Sequence, residues 1–408
     1  MQIYMVGGAV RDMVLGQTPH DKDFVVVGAT ADEMLARGFV QVGKHFPVFL
    51  HPDTKEEYAL ARKEIKTGDK HTDFKFVFGP NVTLAEDLER RDFTCNALVY
   101  DMESGKVQDL VGGLNDIKNR VLRHVNSAHF GEDPLRVLRM CRFAAKLNFV
   151  IAPQTMALAR QMVAAGMLQH LSPERIWQEF YKALETPHFV KFIAAMRECG
   201  AWQALLPELE QLWHTPERTD FHPEGNSGAH TLLALKHAES LDSVTKFAVL
   251  MHDVGKTMTP PEMLPRHIGH DKTGTPLIKK ICKRLKVPNK YTEFAVIATA
   301  QHMRFFAVPQ MRHATLRDFV ADLSRQFRSD TNLKQLFAVC KCDMLGRALS
   351  ISDAELADYE NAVTRCQKVY DRLSPLNAQD MPNFAQLPHD ASFFEHWRQY
   401  QINLISDL

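Results

Sequence analysis

Asp21 and Asp23 stand two residues apart where the apolar run Phe24–Val27 begins. Alternate residues of a strand point to one face, so the two carboxylates would project together. Like charges this close are costly unless cations neutralise them, and a pair of Mg²⁺ ions is the natural tenant beside a bound triphosphate. Upstream, the run Ile3–Val6 leads into Gly7-Gly8 and then Val10-Arg11-Asp12. A glycine pair after a strand lets backbone N–H groups approach a polyphosphate, and the helix start that follows favours negative charge. Arg11 could add a bidentate contact. A glycine pair or a DKD turn is commonplace by itself. Together, in this order, they point to nucleotidyl transfer.

A second group of chemistry-bearing residues lies farther along. His230 is followed by His252-Asp253-Val254-Gly255-Lys256, by Arg266-His267-Ile268-Gly269-His270, and by His302. Apolar runs flank the first two, Leu232–Leu235 and Phe247–Met251. Histidines and an aspartate carried on helices can converge on a divalent ion, and imidazole favours a transition metal such as Ni²⁺, Co²⁺ or Mn²⁺. His230, His252, Asp253 and His302 are the expected ligands.

The elements that must position these groups divide the chain. Strand character at Ile3–Val6, Phe24–Val27, Val40–Leu50 and Tyr58–Ala61 alternates with helical runs at Val10–Leu15 and Ala31–Arg37, predicting a small mixed α/β domain. From Asp133 onward 3.6-residue periodicity takes over, at Asp133–Leu147, Thr155–Gly166, Pro173–Leu184 and Phe189–Cys199. The polar, Pro- and Gly-containing stretch His214–Gly228 marks a boundary near Asp220, and Ser374–His389 precedes a helical tail. The expected architecture is α+β: a head over 1–125, a helical neck over 126–220, an all-α domain over 221–345 and a tail over 346–408.

Composition narrows the class. With 45% hydrophobic and 24% charged residues the 408-residue chain is a folded protein of several domains. Its net charge of zero argues against non-specific coating of nucleic acid but leaves room for a local basic groove. No apolar run reaches membrane-spanning length, and the start MQIYMVGGAVRD does not look like a secretory signal. The seven cysteines are scattered, and Cys340 and Cys342 lack the usual CxxC spacing, so a reduced cytoplasmic setting is expected.

GGAVRD with DKDF resembles the first motif of the class II tRNA nucleotidyltransferase and bacterial poly(A) polymerase superfamily. Arg90-Arg91-Asp92-Phe93-Thr94-Cys95-Asn96-Ala97-Leu98 is similar to its second motif, Asp109–Leu114 to its third, Glu132–Arg136 to its fourth, and Ser172-Pro173-Glu174-Arg175 to the element that follows. The resemblance implies catalytic, Mg²⁺-binding roles for Asp21 and Asp23. It implies nucleotide contacts for Gly8, Arg11, Arg91, Asp92, Asn96, Asp133, Arg136 and Arg139. The implied substrates are CTP, ATP and the 3′ end of tRNA, with no DNA and no membrane, and the implied assembly is a monomer or homodimer.

The fourth motif also has a chemical reading. Asp133 and Arg136 are expected at i and i+3 on one helix, hence on one face, where they would offer an acceptor-only carboxylate beside a donor-only guanidinium. Cytosine and adenine each present an amino donor next to a ring acceptor, whereas guanine and uracil present the reverse order. One fixed pair could therefore accept C and A and refuse G and U. Arg136, Arg139, Arg142 and Lys146 continue as a basic stripe, while Leu135, Leu138, Phe143 and Leu147 can face a core. Lys66–Glu86 is a candidate for a flexible loop that switches addition from C to A.

His-Asp-x-Gly-Lys with an upstream histidine looks like the HD phosphohydrolase superfamily. That pattern usually closes with a distant aspartate, yet Met303 follows His302, which leaves Asp343 as the candidate. The resemblance implies phosphatase and 2′,3′-cyclic phosphodiesterase action. The rival readings are a poly(A) polymerase, an enzyme adding only CC or A, and a nucleotide-sensing HD phosphohydrolase. The intact aspartate pair disfavours the last.

Overall fold

Tyr4, Met5 and Val6 on one strand and Phe24, Val25 and Val26 on its neighbour are all buried, as expected for central strands covered on both faces. The computed structural model describes residues 1–19, 21–42, 48–66, 74–327, 330–382, 384–387 and 391–408. The chain separates into two compact units, Met1–Leu205 and Leu206–Leu408. That division falls upstream of the boundary expected near Asp220. Residues 216 and 226 instead pair within the second unit.

The first unit opens with β1 (Gln2–Val6), α1 (Gly8–Val14), β2 (Asp23–Val27), α2 (Ala31–Ala36), β3 (Val40–Val42), β4 (Val48–Leu50), β5 (Glu57–Leu60), β6 (Arg62–Lys66), β7 (Phe74–Phe78), α3 (Leu84–Glu89), β8 (Val99–Asp101), β9 (Lys106–Gln108) and α4 (Gly113–Lys118). Seven strands form one mixed sheet in the order β3-β4-β5-β2-β1-β8-β9. All neighbours are antiparallel except β2 and β5. In the β1–β2 register Val6 faces Asp23, which sets that carboxylate beside the glycine turn. Strands β6 and β7 pair as a separate ribbon. The expected loop Lys66–Glu86 thus contains a strand and the start of α3, and its residues 67–73 lie outside the described residues.

Helices follow: α5 (Ser127–Glu132), α6 (Leu135–Leu147), α7 (Pro153–Ala164), α8 (Pro173–Leu184), α9 (Phe189–Glu198) and α10 (Ala201–Leu205). Ser172 caps α8 by accepting from the Arg175 N–H, and Pro173 occupies its first turn, so Ser-Pro-Glu-Arg is a helix-start signal. Phe180 of α8 packs on Phe189, Phe192 and Trp202 at ring separations of 5.7, 5.5 and 6.3 Å.

The second unit is helical among the described residues: α11 (Pro207–Glu210), α12 (Ser227–His237), α13 (Ser243–Met251), α14 (His270–Arg284), α15 (Asn289–Phe306), α16 (His313–Gln326), α17 (Asp330–Leu345), α18 (Asp353–Leu373) and α19 (Ala391–Leu404). Asn226 and Asp242 cap α12 and α13. A Cβ on Gly255 would lie 2.0 Å from the His270 carbonyl oxygen and 2.6 Å from the Gly274 nitrogen. Glycine alone lets the turn after His252-Asp253 seat on α14, and that contact brings Asp253 to His270. The tail is part of this unit: Arg398 of α19 pairs with Asp318 of α16 at 2.8 Å. Among the described residues no helix is long and apolar enough to cross a membrane.

Candidate functional site

In the first unit Gly7 adopts φ 75° as the residue before α1, a conformation that favours glycine, and its Cα faces Arg91. One turn into α1, Arg11 is buried, with Nη1 donating to Asn96 Oδ1 at 2.6 Å and Nε and Nη2 to Asp12. The chain of contacts runs on. Asn96 Nδ2 donates to Asp92 Oδ1 at 3.0 Å, and Arg139 of α6 grips Asp92 Oδ2 with Nε at 2.8 Å and Nη2 at 2.5 Å. Glu179 of α8 anchors the far end through Arg142, with Arg139 3.9 Å away. Phe143 stacks beneath three guanidiniums, those of Arg11, Arg139 and Arg142. Burial would raise the Asp92 carboxyl, but Arg139, with help from the Asn96 amide, outweighs it and holds Asp92 below the usual carboxylate range.

Arg91 donates to the Asn96 carbonyl and to Asp87, and its buried Nε has no hydrogen-bond partner among the described residues. Asp21 and Asp23 lie exposed next to this frame. The packed surroundings raise the Asp23 carboxyl; Arg91 opposes the shift and Asp21 adds to it. A carboxylate pushed upward beside a like charge is a donor set that a hard divalent cation suits.

Asp133 corrects an expectation. It is not on a helix with Arg136 but sits extended (φ −118°, ψ 107°) between α5 and α6. Its carboxylate accepts from Leu135 N and pairs with Arg175 at 2.9 Å, while Arg136 Nη2 donates to the Arg90 carbonyl. The residue before a proline is disfavoured in the helical region, and Pro134 follows. The basic stripe also divides: Arg142 is a buried structural ion pair and Lys146 is exposed. The third sequence motif is a scaffold. Asp109 accepts from four successive backbone N–H groups, Val111 to Leu114, and a Cβ on Gly113 would stand 2.3 Å from the Thr94 carbonyl oxygen.

In the second unit α12, α13, α14, α15 and α17 each deliver a side chain, or its neighbour in the following turn, to one buried cluster. His230 Nε2 lies 3.0 Å from Asp343 Oδ1 and 3.7 Å from Asp253 Oδ2; His252 Nε2 lies 3.2 Å from Asp253 Oδ2 and 3.6 Å from Asp343 Oδ1. His302 does not complete that set. It stands with His270, 3.8 and 3.3 Å respectively from Asp253 Oδ1, and the missing carboxylate is Asp343. Lys256 bridges Asp253 and Glu217 at 2.8 Å to each. Glu224 accepts from the Nδ1 atoms of His222 and His230 and from the Ala348 N–H. His270 stands in the histidine-bearing run that the sequence singled out but was not among the expected ligands, and nothing local marks Glu224 as a support.

Burial alone would lower His252; the Asp253 and Asp343 carboxylates beside it prevail and lift it to about 10. Burial wins at His302, which falls to about 4. Burial would raise Asp253 and Asp343, yet the adjacent cationic groups hold both well below the usual range. The fit to a metal is direct: His252 Nε2 is buried, has no hydrogen-bond partner among the described residues, and faces two carboxylates. A cavity of about 850 Å³ opens over this cluster, lined by Lys256, Arg266, Arg347, Phe221, Met303 and Phe306 among others.

Comparison with known proteins places both units. The model for the poly A polymerase head domain matches residues 3–123, that for the probable RNA and SrmB-binding site of polymerase A matches 148–212, and the HD domain matches 227–342. The chain is thus an α+β nucleotidyltransferase of the poly A polymerase head type carrying an HD domain. It is 47% identical over 352 residues to the multifunctional CCA protein of Tolumonas auensis, covering 85% of each chain, and 44% identical over 387 residues to that of Xanthomonas campestris pv. campestris, covering 93% of each. The chain belongs to the multifunctional CCA protein family. Its fold resembles the Bacillus stearothermophilus CCA-adding enzyme solved with CTP, with a TM-score of 0.66 at 22% identity over 99% of this chain and 89% of that one.

Proposed function

We propose that the first unit builds and repairs the 3′-terminal CCA of tRNA from CTP and ATP, and that the HD unit hydrolyses phosphate esters, 2′,3′-cyclic phosphates included. The tRNA 3′-hydroxyl attacks the nucleotide α-phosphate in line and pyrophosphate leaves. Asp21 and Asp23 would hold Mg²⁺, which would supply Lewis-acid activation of the hydroxyl and charge neutralisation at the triphosphate. Gly8 admits the phosphates to the start of α1, while Arg11, Arg91, Asp92, Asn96 and Arg139 fix sugar and phosphate geometry. Asp133 and Arg136 select the base. Although Asp133 is tied to Arg175, a carboxylate has acceptor capacity left for an exocyclic amine. The observation that carries the reading is the frame from Arg11 through Asn96 and Asp92 to Arg139, standing beside the Val6–Asp23 register.

In the HD unit, His230, His252, Asp253 and Asp343 hold a transition ion such as Ni²⁺, Co²⁺ or Mn²⁺. Lys256, Arg266 and Arg347 on the cavity wall suit a phosphate and its apolar residues suit a base, although carboxylates such as Asp271, Glu355 and Asp358 line it too. The seven cysteines are free and buried, which suits a cytoplasmic protein, monomer or homodimer.

The test is to supply a tRNA transcript ending at its discriminator base with Mg²⁺ and each nucleotide singly and in pairs, then sequence the 3′ ends. Addition of CCA followed by a stop is expected. Long A-tails on any RNA would make the chain a poly(A) polymerase, and addition limited to CC or A would make it a partial enzyme.

A further inference from the structure

Three large apolar side chains that the second unit leaves exposed meet at one cavity. Phe221, Ile268 and Met303 are 50%, 76% and 49% exposed, and all three line the space over the histidine–aspartate cluster. Apolar groups of this size left in water around a concave site mark a surface that a ligand covers.

The parts that carry them are held in place. Phe221 lies in the loop between Pro216 and Asn226, which pair as an isolated bridge, and Ile268 follows His267 in the run before α14. His267 ties that run to the loop: its Nε2 donates to the Pro216 carbonyl at 2.9 Å and its Nδ1 accepts from the Thr259 hydroxyl at 2.8 Å. Arg218 stands over one face of the Phe221 ring, 4.5 Å from its centroid, and Asp220 holds Arg218 through Nε at 3.1 Å. The ring is thus oriented beforehand, with its second face left to stack.

The cations of the cavity are unevenly engaged. Lys256 is bound between Asp253 and Glu217, and Arg347 between Glu355 and the Met344 carbonyl. Arg266 also lines the cavity, and its guanidinium makes no hydrogen bond or ion pair among the described residues. A guanidinium fork without a partner, beside the anchored His267, is a donor set for a phosphate. Asp271 and Asp358 line the cavity as well, which disfavours a polyphosphate and suits a ligand with a single phosphate. A volume of about 850 Å³ admits one nucleotide.

We propose that Arg266 and Phe221 set the specificity of the HD unit. Arg266 takes the phosphate of the ester, and Phe221 stacks on its base with Ile268 and Met303 beside it, so that a base-bearing ester is preferred to the same ester without a base. This rests on the reading of the HD unit as a phosphohydrolase and names the residues that choose its substrate.

The full-length protein loaded with Mn²⁺ is given adenosine 2′,3′-cyclic phosphate and methyl riboside 2′,3′-cyclic phosphate, which differ in the base alone. Opening the ring adds one water, breaks one P–O bond and leaves a monoester, which phosphorus NMR counts. The parent should prefer the nucleotide by about 10-fold or more in kcat/KM. Phe221→Ala should raise KM for the nucleotide by about 5–100-fold with kcat little changed, and narrow the preference by the same factor; Phe221→Trp should restore both. Arg266→Ala should lower kcat/KM for both esters by about 10–100-fold, with partial recovery in Arg266→Lys. Mn²⁺ content and circular dichroism of each variant check the cluster and the fold, and Phe221→Leu replaces Phe221→Ala should the latter misfold. Equal kcat/KM for the two esters in the parent, or equal loss of both in Phe221→Ala, overturns the base subsite. Unchanged rates in Arg266→Ala overturn the phosphate contact. A parent that opens neither ester overturns the phosphohydrolase reading beneath them.

Discussion

The two candidate sites solve the problem of concentrated charge in opposite ways. In the first unit the carboxylates Asp21 and Asp23 stay exposed beside a rigid, arginine-rich frame that is already fully hydrogen-bonded from Arg11 to Arg139. In the HD unit every candidate ligand is drawn inward, with His230 and His252 fully buried and each ring clamped at Nδ1. A site whose cations arrive with a triphosphate can leave its carboxylates open, because the substrate brings the balancing charge. A site that keeps its ions between turnovers needs ligands held in place before substrate arrives. The difference teaches that one site is pre-arranged for the nucleotide and the other for the metal.

The largest expected effect separates the two chemistries. Asp21→Ala with Asp23→Ala should lower nucleotide incorporation by on the order of 10³-fold or more while phosphate release by the HD unit persists. Radiolabelled addition and phosphate release from a 2′,3′-cyclic nucleotide, assayed side by side, check it; equal loss of both would mean that the sites are not separate. The converse, His252→Ala, should cost at least about 10²-fold in phosphate release and leave incorporation within roughly a factor of two.

A smaller effect probes the frame. Glu179 touches neither proposed cation nor nucleotide, yet it holds Arg142 and lies next to Arg139. Glu179→Gln should reduce incorporation by about 10–100-fold through misplacement of Arg139, and should destabilise the first unit by roughly 3 kcal/mol by stranding the buried Arg142. Steady-state kinetics and chemical unfolding measure the two losses; unchanged kinetics with lowered stability would reduce Glu179 to a packing residue.

The smallest effect is a pH dependence. In the metal-free protein the two carboxylates raise His252 to about 10, above its ordinary value. A raised folded-state value contributes stability that is full below the unfolded value of about 6.5 and is lost as pH rises toward 10. The melting temperature of chelated protein should therefore fall across that window, and His252→Ala should flatten the fall. With metal present the direction reverses, since the ion must displace that proton and its affinity climbs with pH.

Much of the head was legible because its signals are local. The glycine pair and the aspartate pair lie on consecutive elements, Arg90–Leu98 is one unbroken run of sequence, and the β1–β2 register follows from two apolar runs. The helical reading of Asp133 failed although Pro134 carried the warning. Glu179 belongs to the same site as Asp92, but the link passes through Arg139 on a third element, and no spacing reveals it. In the HD unit the His-Asp pair was plain. The grouping of His302 with His270, and of Asp343 with His230, depends on how five helices pack, which periodicity does not encode. Asp109 shows the reverse case, a residue inside a family-like motif whose work is to tie down a turn.

The central claim is that the HD unit retains divalent metal without substrate and that the head does not. Metal content after chelation, Mn²⁺ loading and desalting in the absence of nucleotide tests it directly in three proteins: the unaltered chain, the Asp21→Ala/Asp23→Ala chain and a His252→Ala/Asp253→Ala chain. The account predicts equal retention in the first two and none in the third. Metal lost with Asp21 and Asp23, or kept without His252 and Asp253, would contradict it.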